Sequence, residues 1–113
     1  MKLVVLAAAV AALLVPSAFA ATPTLNGTVG PGFTIALTKS GAKVTKLKAG
    51  TYVIKVSDKS NIHNFRLRGP GVNKTTGLGA TGAATWKVTL KAGKYTIVCD
   101  PHATVMKSTF TVS

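Results

Sequence analysis

The chain has 113 residues, which allows one domain at most. Fourteen Lys plus Arg stand against two Asp plus Glu, a formal charge of +12, yet 47% of residues are apolar, so this is no disordered basic tail. One cysteine excludes an internal disulfide framework, and two acidic residues, Asp58 and Asp100, leave little for carboxylate-pair catalysis.

Lys2 is followed by an unbroken apolar run, Leu3 to Val15, and then by Ala18-Phe19-Ala20. A short positive start, an apolar stretch too short to span a bilayer and small residues before a cut predict a secretory signal peptide over 1–20. Cleavage is expected after Ala20, leaving a single exported domain over 21–113. The destination is periplasmic or extracellular. Oxidation is permitted there, yet Cys99 has no partner in the chain. It is an intermolecular bridge, a reactive thiol or a metal ligand.

From Ala21 the sequence reads as short strands rich in Val, Ile, Thr, Tyr and Phe, punctuated by Gly, Pro and Asn. Strands are expected near Leu25–Val29, Phe33–Leu37, Lys43–Leu47, Thr51–Ser57, His63–Arg68, Ala84–Leu90, Lys94–Cys99 and Met106–Val112. Tyr52, Ile54 and Val56 share one face, as do Trp86, Val88 and Leu90, with lysines and threonines between them. This alternation predicts an all-β antiparallel sandwich or barrel. Gly69 to Ala84 shows no hydrophobic period and reads as a long loop. Within it Gly77-Leu78-Gly79-Ala80-Thr81-Gly82 matches G-x-G-x-x-G, but a strand pattern follows where a dinucleotide site needs a helix. Asn26 and Asn73 head glycosylation sequons, meaningful only in a host with that chemistry.

Leu47-Lys48-Ala49-Gly50-Thr51-Tyr52-Val53-Ile54 is echoed by Leu90-Lys91-Ala92-Gly93-Lys94-Tyr95-Thr96-Ile97. The echo continues until Val56 meets Cys99. Each strand then enters a loop that supplies one histidine, His63 or His102. If both strands run the same way, the two loops share a pole and His63 approaches Cys99. Two similar hairpin turns are the plainer reading.

Cys99, His102 and Met106 fall within eight residues, and His63-Asn64 lies upstream. One thiolate, two imidazoles and a thioether form the ligand set of a blue-copper site. Taken singly, Cys99 suits an inert buried thiol, His63 a core histidine and Met106 a core gap-filler. Zinc competes, since Cys and two His suit it too.

The stretch Gly93-Lys94-Tyr95-Thr96-Ile97-Val98-Cys99, followed by Pro101-His102 and Met106, resembles the C-terminal signature of the small cupredoxins, the group of plastocyanin, amicyanin and pseudoazurin. His63-Asn64 matches the upstream motif of that family. The likeness covers most of Thr34 to Ser113 and is nearest to plastocyanin-like domains of secreted bacterial proteins. Two features depart from it: the His102–Met106 spacing is intermediate among relatives, and Ser108 stands where many have glycine. The resemblance implies a Greek-key β-sandwich holding one type 1 copper ion. His63, Cys99 and His102 would form a trigonal plane with Met106 as the long axial ligand. Asn64 would tie the two ligand loops together, and His102 would present its ring edge at the surface. The implied function is one-electron transfer between redox proteins by a monomer that is not an enzyme. Copper storage or delivery, and a structural sandwich with a vestigial site, are the alternatives.

The charge suits redox partners with acidic docking surfaces, or an anionic membrane surface. The lysines form no stripe and no aromatic residues interleave with them, so no nucleic-acid partner is expected.

Overall fold

The computed structural model describes residues 21–113, so the predicted signal peptide over 1–20 lies outside the described residues. The strands are β1 (Thr24–Val29), β2 (Ile35–Lys39), β3 (Ala42–Lys43), β4 (Lys46–Leu47), β5 (Gly50–Asp58), β6 (Arg66–Gly69), β7 (Val72–Thr75), β8 (Gly82–Leu90), β9 (Gly93–Val98) and β10 (Lys107–Val112). They form two five-stranded sheets, ordered β3-β2-β1-β5-β8 and β4-β10-β9-β6-β7. Both are mixed rather than purely antiparallel, because β1 runs parallel to β5 and β4 parallel to β10. No described helix is long and apolar enough to cross a membrane.

The alternation read from the sequence is the core. Tyr52, Ile54 and Val56 of β5 are buried, and so are Val88 and Leu90 of β8, Tyr95 and Ile97 of β9, and Phe110 and Val112 of β10. The lysines and threonines between them face water. Trp86 is only partly buried, packed at the edge of this core against Phe65.

The repeated segment builds the same device twice. The Tyr52 hydroxyl donates to the Lys48 carbonyl at 2.7 Å, and the Tyr95 hydroxyl donates to the Lys91 carbonyl at 2.9 Å. Gly50 (φ 153°) and Gly93 (φ 148°) turn the chain in each copy, in a backbone region that side chains disfavour. Each tyrosine thus pins the turn leading into its own strand. Both strands then end at the same pole, where Cys99 follows β9 and the His63 loop follows β5.

Besides shifts of one or two residues, which leave Cys99 and Met106 just outside β9 and β10, four features differ from the sequence expectation. Phe33 lies outside β2, 60% exposed, against the site described below. The expected strand Lys43–Leu47 is split, because buried Val44 sits where the chain passes from one sheet to the other. His63 precedes β6 rather than opening it, and the Phe65 N–H is satisfied by the Thr76 hydroxyl at 2.8 Å. The expected loop over Gly69–Ala84 contains edge strand β7, whose Asn73, Lys74 and Thr75 are exposed and carry no apolar signal.

Candidate metal centre

The loop after β5 is set by a buried carboxylate. Asp58 is 4% exposed. It accepts the Ser60 N–H at 3.1 Å and the Thr76 hydroxyl at 3.0 Å. Ser60 in turn accepts the Ile62 N–H at 3.2 Å. These local bonds replace ladder pairing and deliver His63 inward, where it is fully buried.

The second loop is closed by the β9–β10 hairpin. Beyond the Val98–Lys107 pair, the Cys99 N–H donates to the Met106 carbonyl at 3.0 Å. A single 3-10 turn, Asp100–His102, begins with Pro101 near its start, where no N–H is needed. The Met106 N–H returns to the His102 carbonyl at 2.8 Å. Cys99 and Met106 are fully buried and His102 is half-buried.

These two loops bring three donors together across 36 positions of sequence. Cys99 Sγ lies 3.6 Å from His63 Nδ1 and 3.5 Å from His102 Nδ1, and the two Nδ1 atoms are 3.1 Å apart. The circle through these atoms has a radius of about 2.0 Å, close to the metal–imidazole distance of about 2.0–2.1 Å and a little under the metal–thiolate distance of about 2.3 Å. Two imidazole nitrogens so close share at most one proton between them, whereas a cation at the centre takes the lone pairs of both rings and the sulfur. The trio is thus built for a metal ion, and it is the cluster of that kind among the described residues.

Asn64 joins the loops. Its Oδ1 accepts the Asp100 N–H at 2.7 Å, and its Nδ2 donates to Asp100 Oδ2 and Thr75 Oγ1, each at 2.9 Å. Arg66 clamps the same carboxylate, with Nη2 at 2.8 Å and Nε at 3.0 Å. The Arg66 bond holds the Asp100 carboxyl below the usual carboxylate range, against partial burial and with help from the Asn64 amide. The guanidinium is pushed up in return. Asp100 is therefore committed to structure, and no free carboxylate base stands beside the trio.

Sequence reasoning singled out His63, Asn64, Cys99, His102 and Met106. It missed Phe33, Gly30, Arg66 and the Asp58–Thr76 clamp. Phe33 lays its ring edgewise against both histidines, with centroids 5.3 and 5.0 Å away. A Cβ at Gly30 would come within 2.9 Å of Ser60 Cβ and 3.2 Å of the His63 ring. Neither residue belongs to a recognisable pattern, so only the folded chain reveals them. The G-x-G-x-x-G segment leads into β8 with no helix after it, which leaves no place for a dinucleotide. Around half-buried His102 the surface is apolar, with Phe33, Ile62 and Val105 all exposed.

No family model matches the chain, and no curated protein matches it in sequence. Among solved structures it is similar to reduced rusticyanin, at 20% identity over 80% of this chain and 78% of that one, with a TM-score of 0.59. Rusticyanin from Thiobacillus ferrooxidans aligns at 21% identity over 80% and 76%, with a TM-score of 0.55. Dithionite-reduced auracyanin from Roseiflexus castenholzii aligns at 20% identity over 83% and 99%, with a TM-score of 0.56. The two mixed sheets, matched to these structures along four-fifths of the chain, show that it has the cupredoxin-like β-sandwich fold.

Proposed function

We propose that the chain is an exported one-electron carrier holding a single type 1 copper ion between His63, Cys99, His102 and Met106. The observation that carries this reading is the donor triangle of one thiolate and two Nδ1 atoms. A soft sulfur and two imidazoles suit both copper oxidation states, and a thioether suits the reduced one. Rusticyanin is itself described as a copper protein, and reduced forms are known of rusticyanin and auracyanin. Export rests on the leader pattern over 1–20.

Copper would supply a centre that gains and loses one electron. The chain's own residues do the rest. Asn64 and the Arg66–Asp100 pair hold the two ligand loops in one arrangement, so little rearrangement accompanies a change of charge. Phe33 and the buried faces of both sheets keep water from His63 and Cys99. His102, half-buried within the apolar rim of Phe33, Ile62 and Val105, is the route by which an electron reaches a docked redox protein. No substrate is turned over, and the chain is not an enzyme on this reading. Copper storage is less favoured, because beyond the initiator the chain has one methionine, Met106, whereas soft-metal carriers draw on several sulfur ligands.

Addition of Cu(II) to the protein should give an intense visible thiolate-to-copper band at one equivalent, and Cys99→Ser should abolish it. A colourless protein that takes up one zinc ion and no copper would overturn the assignment.

A further inference from the structure

The charge is not spread evenly from end to end. Both acidic side chains lie at the metal-site pole, Asp58 at the end of β5 and Asp100 just beyond β9. At the opposite pole Lys39 ends β2, Lys46 and Lys48 bracket Leu47, and Lys91 and Lys94 bracket the turn from β8 into β9, all exposed, with no Asp or Glu among them. Lys46 and Lys94 flank Thr111 in register, so both stand on the outer face of one sheet with β10 between them. Lys39, Lys46 and Lys48 rim an open groove of about 610 Å³ whose floor includes Leu47, Ala49 and Pro23. Ser113 also lines the groove.

We propose that this basic pole docks the domain onto an anionic phospholipid surface, leaving the His102 pole turned outward. Two observations favour a bilayer over an acidic protein. Five clustered cations without a carboxylate side chain suit a uniform sheet of phosphates better than a patterned protein surface, which would need matched groups of both signs. The chain also enters the fold at this end. Pro23 lines the groove, and only residues 16–23 separate β1 from the apolar run Leu3–Val15. A leader over 1–20 that holds the chain at a membrane would therefore keep the lysine-bearing side nearest to it. The groove accepts headgroup phosphates, while the exposed lysine stems lie along the interface. This docking does not depend on metal loading, so it stands or fails apart from the copper reading.

The test is co-sedimentation of the chain from Ala21 onward, which holds the whole described fold, with phosphatidylglycerol/phosphatidylcholine vesicles at low salt. Lys46→Glu/Lys48→Glu/Lys94→Glu should weaken binding by at least about a hundredfold, at about fivefold for each lysine lost. The corresponding triple Gln variant, which loses the same three cations but adds no negative charge, should itself weaken binding by about a hundredfold. Lys59→Glu/Lys87→Glu/Lys107→Glu changes the net charge equally, away from the basic pole, and should cost less than about tenfold on the same scale. Equal losses in the two Glu triples would overturn the proposal, because net charge alone would then govern binding. Failure of the unaltered protein to bind anionic vesicles would also overturn it. So would tighter binding to polyglutamate than to vesicles, which would mark an acidic protein as the partner.

Discussion

Removing the Asn64 side chain should loosen the ligand loops and the fold together. Asn64 is 2% exposed and makes three hydrogen bonds, one to the Asp100 backbone, one to its carboxylate and one to the Thr75 hydroxyl. In Asn64→Ala the Asp100 N–H is left inside the loop without an acceptor, a loss of about 1–3 kcal/mol. Asp100 and Thr75 are both exposed, so water recovers most of what the amide gave them. The expected destabilisation is about 2–3 kcal/mol, which in a domain of this size lowers Tm by roughly 10–20 °C. Asn64→Asp keeps an acceptor for the N–H but sets a second carboxylate against Asp100, so it should be no better than alanine near neutral pH. Thermal melts of the metal-free protein read the stability, and competition with a copper chelator reads the loosening of the two loops. A Tm within about 2 °C of the parent, with unchanged copper retention, would refute the idea that Asn64 couples the loops.

Met106→Leu preserves buried volume and should cost less than about 1.5 kcal/mol in stability while raising the reduction potential of the copper form. Met106→Gln should lower that potential, and unchanged potentials and spectra in both would return Met106 to core packing. Gly69→Ala would drive a Cβ into the buried Tyr95 ring, which stacks on Phe110 with centroids 5.4 Å apart. Yielding would cost about 1–3 kcal/mol or more, and an unchanged melting curve would show that the ring moves freely. Electron-transfer rates with an acidic redox protein should fall as salt approaches 0.1 M, where the Debye length is about 10 Å, and a flat salt profile would assign the lysines no role in that encounter.

Much of the fold was legible because a two-layer sandwich writes its faces directly into the chain. Strands β5, β8, β9 and β10 have one wet and one dry side, and their apolar residues alternate accordingly. The repeat ahead of Tyr52 and Tyr95 also gave the reason why His63 and Cys99 meet. What escaped was whatever lacks a dry side. Edge strand β7 pairs only with β6 and exposes Asn73, Lys74 and Thr75, so it has a loop's composition. The break at Val44 was hidden because an inward residue at a sheet crossing looks like any strand residue. At the site, residue types and spacing within 99–106 announced the chemistry, since one hairpin loop carries most of it. The partners that hold it were silent. Arg66 meets Asp100 across 34 positions, and Phe33 reaches the histidines from a loop that reads as a strand start.

The hairpin loop from Cys99 to Met106 bears on the order in which the chain could fold and take up metal. Thiol, imidazole and thioether lie within one short, locally closed segment, while His63 arrives only when distant strands have packed. Long-range pairing of this sort is the slow part of folding for a β-sandwich, on a scale of milliseconds to seconds. An unfolded chain therefore already offers Cys99, His102 and Met106 as a flexible chelate, and His63 is the ligand that only the native state adds. Because that chelate lets the unfolded state hold metal too, the rise in melting temperature on loading understates the affinity of the finished site. A His63→Ala chain should make this visible, since it keeps the chelate but loses the native addition, and metal should then raise its melting temperature far less than it raises that of the parent.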